Sequence, residues 1–134
     1  MLTINIDGAS RGNPGPSGVG IVLSNDDLKI TEYNEYIGHR TNNQAEYTAL
    51  KKALQIASGY DEELTVLSDS ELVVKQRNNK YKVRNKGLKI ICREISNLEK
   101  NFKTITYKYV PRERNVRADF LANQAIVQNN NNKY

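Results

Sequence analysis

Leu2, Ile4 and Ile6 alternate with Thr3, Asn5 and Asp7, a period of two that predicts a strand with one buried face. Gly8 to Gly18 is dense in Gly, Pro, Ser and Asn and predicts a loop. Its glycines do not fit the G-x-G-x-x-G dinucleotide spacing, and the next segment, Val19–Ser24, is a second strand where that motif requires a helix. Asn25-Asp26-Asp27 reads as a turn and Leu28–Ile37 as a third strand, so the chain opens with an antiparallel meander. Thr41-Asn42-Asn43-Gln44 has the form of a capping box. Leu50, Ala53, Leu54 and Ala57 recur at helical spacing behind it, and Gly59 stands where a C-terminal cap belongs. The helix is predicted at about 43–58. Leu64–Ser68 is a short apolar strand, and Ser70 caps a helix reaching about Arg77. Residues 78–85 form a polar, basic connection, and Leu88, Ile91, Cys92, Ile95 and Leu98 mark a third helical stripe. Thr104–Tyr109 alternates as a fifth strand, Arg114–Gln128 is a last helix, and 129–134 is a polar tail. The order β-β-β-α-β-α-α-β-α predicts an α/β fold: a mixed five-stranded sheet, its first three strands antiparallel, flanked by helices.

Four of the 15 acids stand in places that structure alone does not require. Asp7 ends the first strand and Asp69 the fourth, and side chains at strand ends face the crevice where open sheets bind ligands. Glu46, expected in the first turn of its helix, lies on the side continued by Leu50, Ala53 and Ala57, which aims it at the core. Asp119, early in the last helix, is flanked by Ala118 and Phe120. Each taken alone has a bland explanation as a turn residue or a partner of a helix dipole. Four converging carboxylates repel one another unless protonated or bridged by cations. Hard divalent ions, Mg²⁺ or Mn²⁺, are the natural bridge, and two of them about 4 Å apart activate a water and stabilise a leaving oxygen in phosphodiester hydrolysis.

Charge sharpens this picture. The net charge is +5, but residues 1–74 carry 5 Lys/Arg against 11 Asp/Glu, whereas residues 75–103 carry 10 against 2. The basic block comprises Lys75, Arg77, Lys80, Lys82, Arg84, Lys86, Lys89, Arg93, Lys100 and Lys103. A solvated face is the commoner meaning of such a block; beside an acidic half it suggests a polyanion gripped next to a cation-holding site. No apolar run approaches the ~18 residues of a membrane span, and Met1-Leu2-Thr3-Ile4 lacks the basic and apolar regions of a secretory leader. The single cysteine, Cys92, is expected as a small buried hydrophobe. The expectation is a soluble, cytoplasmic monomer, with one domain over residues 1–128 and the tail beyond.

The runs Asp7-Gly8-Ala9 through Asn13-Pro14-Gly15, Thr41-Asn42-Asn43-Gln44-Ala45-Glu46, Ser68-Asp69-Ser70 and Asn115-x-x-Ala118-Asp119-x-Leu121-Ala122 resemble type 1 ribonuclease H, in order and spacing, from residue 1 to about 127. The resemblance implies the ribonuclease H-like fold and endonucleolytic cleavage of RNA in RNA–DNA hybrids. It also implies Asp7, Glu46, Asp69 and Asp119 as the metal-binding catalytic set. By the same resemblance Asn13, Asn42 and Asn43 contact the hybrid in its minor groove, while Glu71 stands where the family often has Gln. Two further departures stand out. Many members carry an inserted basic helix and loop that handles substrate; here the chain runs from Lys75 through Asn85-Lys86-Gly87 into the next helix. The loop before the last helix usually offers a histidine; here it reads Val110-Pro111-Arg112-Glu113-Arg114-Asn115, and the lone His39 precedes the Thr41 cap as a turn residue. Of Arg112 and Arg114, one is expected to hold a scissile or product phosphate, since an arginine cannot act as a base at neutral pH; the bland alternative is that both face solvent. The leading expectation is a nuclease using two Mg²⁺ or Mn²⁺ ions on RNA–DNA hybrids, with double-stranded RNA as a further substrate left open. The alternative is a module that binds hybrid or double-stranded RNA with weak or no turnover. An integrase or junction resolvase is disfavoured by the Thr41–Glu46 and Asn115–Asp119 runs.

Overall fold

A computed structural model describes residues 2–25, 28–60, 63–79 and 82–131 of the chain. Five strands, β1 (Leu2–Ser10), β2 (Gly15–Asn25), β3 (Leu28–Arg40), β4 (Glu63–Ser68) and β5 (Thr104–Tyr109), form one sheet in the order β3-β2-β1-β4-β5. The first three pair antiparallel, whereas β4 is parallel to both β1 and β5. The helices are α1 (Asn42–Ala57), α2 (Glu71–Arg77), α3 (Lys86–Glu99) and α4 (Val116–Asn131), with a 3₁₀ turn at Arg112–Arg114. Lys80 and the predicted turn residues Asp26 and Asp27 lie outside the described residues. No helix among the described residues is long and apolar enough to cross a membrane.

Period-two alternation distributes the sheet between two layers. Ile4, Ile6, Val19, Ile21, Leu23, Leu64 and Val66 face a core completed by Tyr47, Leu50 and Leu54 of α1 and by Leu88 and Ile95 of α3. The intervening positions of β1 and β2 face α4, whose Ala118, Leu121, Ala122, Ala125 and Ile126 are buried. The Thr41 capping box forms as the sequence predicts: its hydroxyl accepts from the Gln44 amide at 3.1 Å, and Gln44 Oε1 accepts from the Thr41 amide at 2.9 Å. Gly59 follows the helix with φ of 92°, the left-handed conformation that favours glycine there. Cys92 is buried and unpaired, as expected.

Several expected boundaries move. The loop expected over residues 8–18 shrinks to Arg11–Pro14, because β1 and β2 stay in register out to Ser10 opposite Ser17. Gly8, expected in that loop, and Gly20, expected in the second strand, are both seats for helices. A Cβ on Gly8 would come within 2.3 Å of the Ala45 carbonyl carbon, and one on Gly20 within 2.1 Å of the Ala118 oxygen. Only glycine lets α1 and α4 approach the sheet so closely. Glu46 opens the second turn of α1, since no acid lies in the first. His39 is exposed and sits in β3 opposite Pro16 rather than in a turn. The last helix begins two residues later than predicted, after the 3₁₀ turn, and runs to Asn131, into the expected tail.

Candidate active site

β1 and β4 run parallel with Ile6 opposite Ser68, so the next residue of each strand, Asp7 and Asp69, emerges side by side at the carboxyl end of the sheet. Glu46 enters from α1, 8% exposed, and its Oε1 accepts from the Gly8 amide at 2.6 Å. That bond ties the helix carboxylate to the strand carrying Asp7, and the missing Cβ of Gly8 makes the approach possible. Carboxylate oxygens of Asp7, Glu46 and Asp69 all lie within 4.8 Å of one another. Asp119 of α4 lies outside that triad but lines the same open groove, of about 440 Å³, with Ser10, Asn42, Asn43, Ser70 and Arg112.

Such crowding shows in the titration of the acids. Burial, the neighbouring Glu46 and the charge of Asp69 push Asp7 up to about 10. Burial raises Glu46 to about 7, against the lowering effect of its bonds to Asp7 and the Gly8 amide. Asp69 is raised by burial too, held back by Asn115 and the Arg112 guanidinium. Glu46 Oε2 is buried without any hydrogen-bond partner. A buried acceptor left empty beside two more carboxylates, all hard oxygen donors, fits a divalent cation such as Mg²⁺ or Mn²⁺.

A family model described as reverse transcriptase-like matches residues 5–125. The ribonuclease HI of Halobacterium salinarum is 43% identical over 123 residues, which cover 90% of this chain and 61% of that protein. The crystal structure of LC11-RNase H1 in complex with an RNA/DNA hybrid superposes with a TM-score of 0.91 at 37% identity, covering 96% of this chain and 98% of that one. The chain belongs to the type 1 ribonuclease H family. A bifunctional protein of Mycobacterium tuberculosis is 41% identical over 128 residues, 93% of this chain but 35% of its own length. The chain thus spans about a third of the length of that mycobacterial relative.

Within that family, the chain is short between α2 and α3: residues 78–85 connect them with no described helix in between. Of the asparagines that the family resemblance singles out, Asn42 and Asn43 line the carboxylate groove. Asn13 does not; it lines a neighbouring cavity with Thr41, Asn85 and the same two asparagines, and its Oδ1 accepts from the Asn42 amide at 2.9 Å. Glu71 is exposed and lies outside the carboxylate groove. The two arginines separate. Arg112 lines the groove, with a guanidinium nitrogen 3.9 Å from Asp119 Oδ1, whereas Arg114 is exposed and does not line it. In a 3₁₀ turn each residue advances about 120°, so positions two apart point in different directions. His39 does not line the groove either.

Three participants escaped the sequence reading. Asn123 donates to Asp119 Oδ1 at 3.2 Å, and its i+4 spacing from Asp119 was the available signal. Asn115, buried and noticed only as part of a motif, donates to the Ile6 carbonyl at 2.8 Å, accepts from Asn5 at 3.1 Å and faces Asp69. It pins the start of α4 to β1 beside two of the acids. Tyr109 lines the groove from the end of β5. Nothing local distinguishes it from the other residues of that strand.

Proposed function

We propose that this chain is a divalent-metal-dependent endonuclease that hydrolyses the RNA strand of RNA–DNA hybrids. The observation that carries the proposal is the convergence of Asp7, Glu46, Asp69 and Asp119, from four different elements, on one open groove rimmed by Asn42 and Asn43. Those four carboxylates would hold the metal, which, as a pair of divalent ions, would supply an activated water and charge stabilisation for the departing 3′ oxygen. The protein's own groups position the substrate. Asn42 and Asn43, with Asn13 next to them, present amide donors and acceptors suited to 2′-hydroxyls, which only the RNA strand offers. Support comes from the family's ribonuclease HI relative and from the hybrid bound in the LC11 structure. The working substrate is the hybrid, with a monomer as the working state. Purified protein should cleave an end-labelled hybrid in Mg²⁺ or Mn²⁺ and not in EDTA. Metal-independent binding without cleavage would instead identify a binding module, and a parallel reaction on double-stranded RNA tests that substrate.

Arg112 supplies a cation at the groove wall without any capacity to take a proton, so its role is to hold a phosphate by charge-assisted hydrogen bonds. Arg112→Ala should lower kcat more than tenfold, a loss of about 1.4 kcal/mol or more in transition-state stabilisation. The deficit should persist from about pH 6 to 9, because the substitution removes a phosphate contact and no proton donor or acceptor of the reaction. Arg114→Ala should stay near wild type. Equal, wild-type kcat in both single variants removes Arg112 from the reaction.

The basic block acts on affinity. Lys82 and Lys86 are exposed, within reach of a long polyanion, and Lys80 adjoins them in sequence. Neutralising all three should weaken hybrid binding and flatten the dependence of log affinity on log salt by roughly 0.9 per lost phosphate contact. Turnover at saturation should change little. An unaltered salt slope would mark the block as a solvated face.

A further inference from the structure

A second cavity, of about 390 Å³, adjoins the carboxylate groove. Its lining includes Val74 and Tyr107, both buried, together with Lys75, Lys108 and Glu71. Tyr109 belongs to both cavities and stands between them, 49% exposed. On the other flank, Asn42 and Asn43 are shared between the carboxylate groove and the cavity holding Asn13 and Asn85. Three depressions therefore adjoin one another across the carboxyl end of the sheet, joined by shared residues, from the start of α1 past β1 and β4 to β5.

A polynucleotide strand cut in the central groove has to leave it on both sides. The Asn42 side is the one the proposed function uses. From the continuity of the cavities we infer that the Tyr109 cavity is a second subsite for the same RNA strand, on the opposite side of the scissile bond, taking a phosphodiester at Lys108 and a ribose or base against the Tyr109 ring. Lys108 is exposed, with no ion pair among the described residues, so its ammonium is available to a phosphate. Glu71 repels a phosphate from its own side, which biases the backbone towards Lys108. An exposed aromatic ring offers every nucleotide the same apolar face, so the subsite is tolerant of sequence. The cleft also lies on the edge strand β5, where chain can run out without meeting another element of the sheet.

This inference rests on the ribonuclease reading, and the test separates the two. Hybrids whose RNA strand is shortened one nucleotide at a time from either end are compared on wild type and on the double variant Lys108→Ala/Tyr109→Ala, both sites being exposed. Trimming the RNA on one side of the scissile bond should raise wild-type KM about tenfold with kcat within about threefold. The double variant should show that higher KM with untrimmed RNA and no further penalty on that side. Lys108→Ala alone should reduce the salt slope of hybrid binding by about one phosphate contact. Wild-type KM in the double variant, or a full trimming penalty retained in it, overturns the subsite. The same comparison by fluorescence anisotropy in EDTA at low salt reads the subsite without turnover. Length-dependent binding that the double variant loses, in a chain that never cleaves, supports the subsite and overturns the ribonuclease reading. Normal cleavage with identical length dependence in both proteins does the reverse. A wild-type chain that neither binds nor cleaves hybrid overturns both.

Discussion

Asp69→Asn is expected to lower kcat/KM for hybrid cleavage by about a thousandfold or more, near 4 kcal/mol of transition-state stabilisation, while leaving the fold intact or more stable. Asp69 is one of three acids whose oxygens lie within 4.8 Å of one another. Its amide replacement keeps the shape but removes the charge that a divalent ion requires. The same change relieves repulsion, because burial and the neighbouring Asp119 already raise the Asp69 carboxyl. Two measurements check it: cleavage of a labelled hybrid at matched metal concentration, and thermal unfolding in EDTA. Turnover close to wild type would remove Asp69 from the proposed site. Lost activity together with a clearly lower Tm would mean that the carboxylate serves the fold instead.

Without metal, stability should fall as pH rises, the opposite of the usual behaviour of carboxylates. In the unfolded chain Asp7 and Glu46 ionise near their ordinary values of 3.8 and 4.5, whereas in the folded chain burial raises them to about 10 and about 7. Across that interval the folded chain binds more protons than the unfolded one, so unfolding releases protons and its free energy declines with pH. The stabilisation is fully present below about pH 4, and it is lost through pH 7 for Glu46 and towards 10 for Asp7. Each pH unit per group changes the balance by up to about 1.4 kcal/mol. Two groups together should cost on the order of 2 kcal/mol or more between about pH 5 and 9, neighbouring charges sharing the effect. Thermal unfolding in EDTA should show the decline, and millimolar Mg²⁺ should reverse it by binding the folded state alone. Asp7→Asn should flatten the profile. A Tm independent of pH in EDTA, or an unchanged slope in that variant, would mean that the acids are solvated and not crowded.

Much of this protein is written in local patterns. The alternation of Leu2, Ile4 and Ile6, the Thr41–Gln44 capping box and the stripe from Leu88 to Leu98 each depend on the period of one element, so the chain segment itself specifies them. The four acids were legible for the same reason: Asp69 follows the fourth strand, Asp7 ends the alternating apolar run of the first although β1 itself continues to Ser10, and Glu46 and Asp119 sit near helix starts beside small residues, positions visible without knowing what packs where. What a local pattern cannot carry is the partner across space. The register that sets Ile6 opposite Ser68 joins segments some sixty residues apart, and it alone makes Asp7 and Asp69 neighbours. Gly8 looked like turn chemistry and Gly20 like any position of the second strand, because a missing side chain gives no sign of which backbone will occupy its place; α1 and α4 occupy it. Arg112 and Arg114 are equivalent in composition and divided only by the sense of a 3₁₀ turn. Periodicity and capping thus determined the elements and the acids at their ends. Long-range pairing and close helix packing decided which side chains share the groove, because both depend on surfaces that come together only once the sheet has formed.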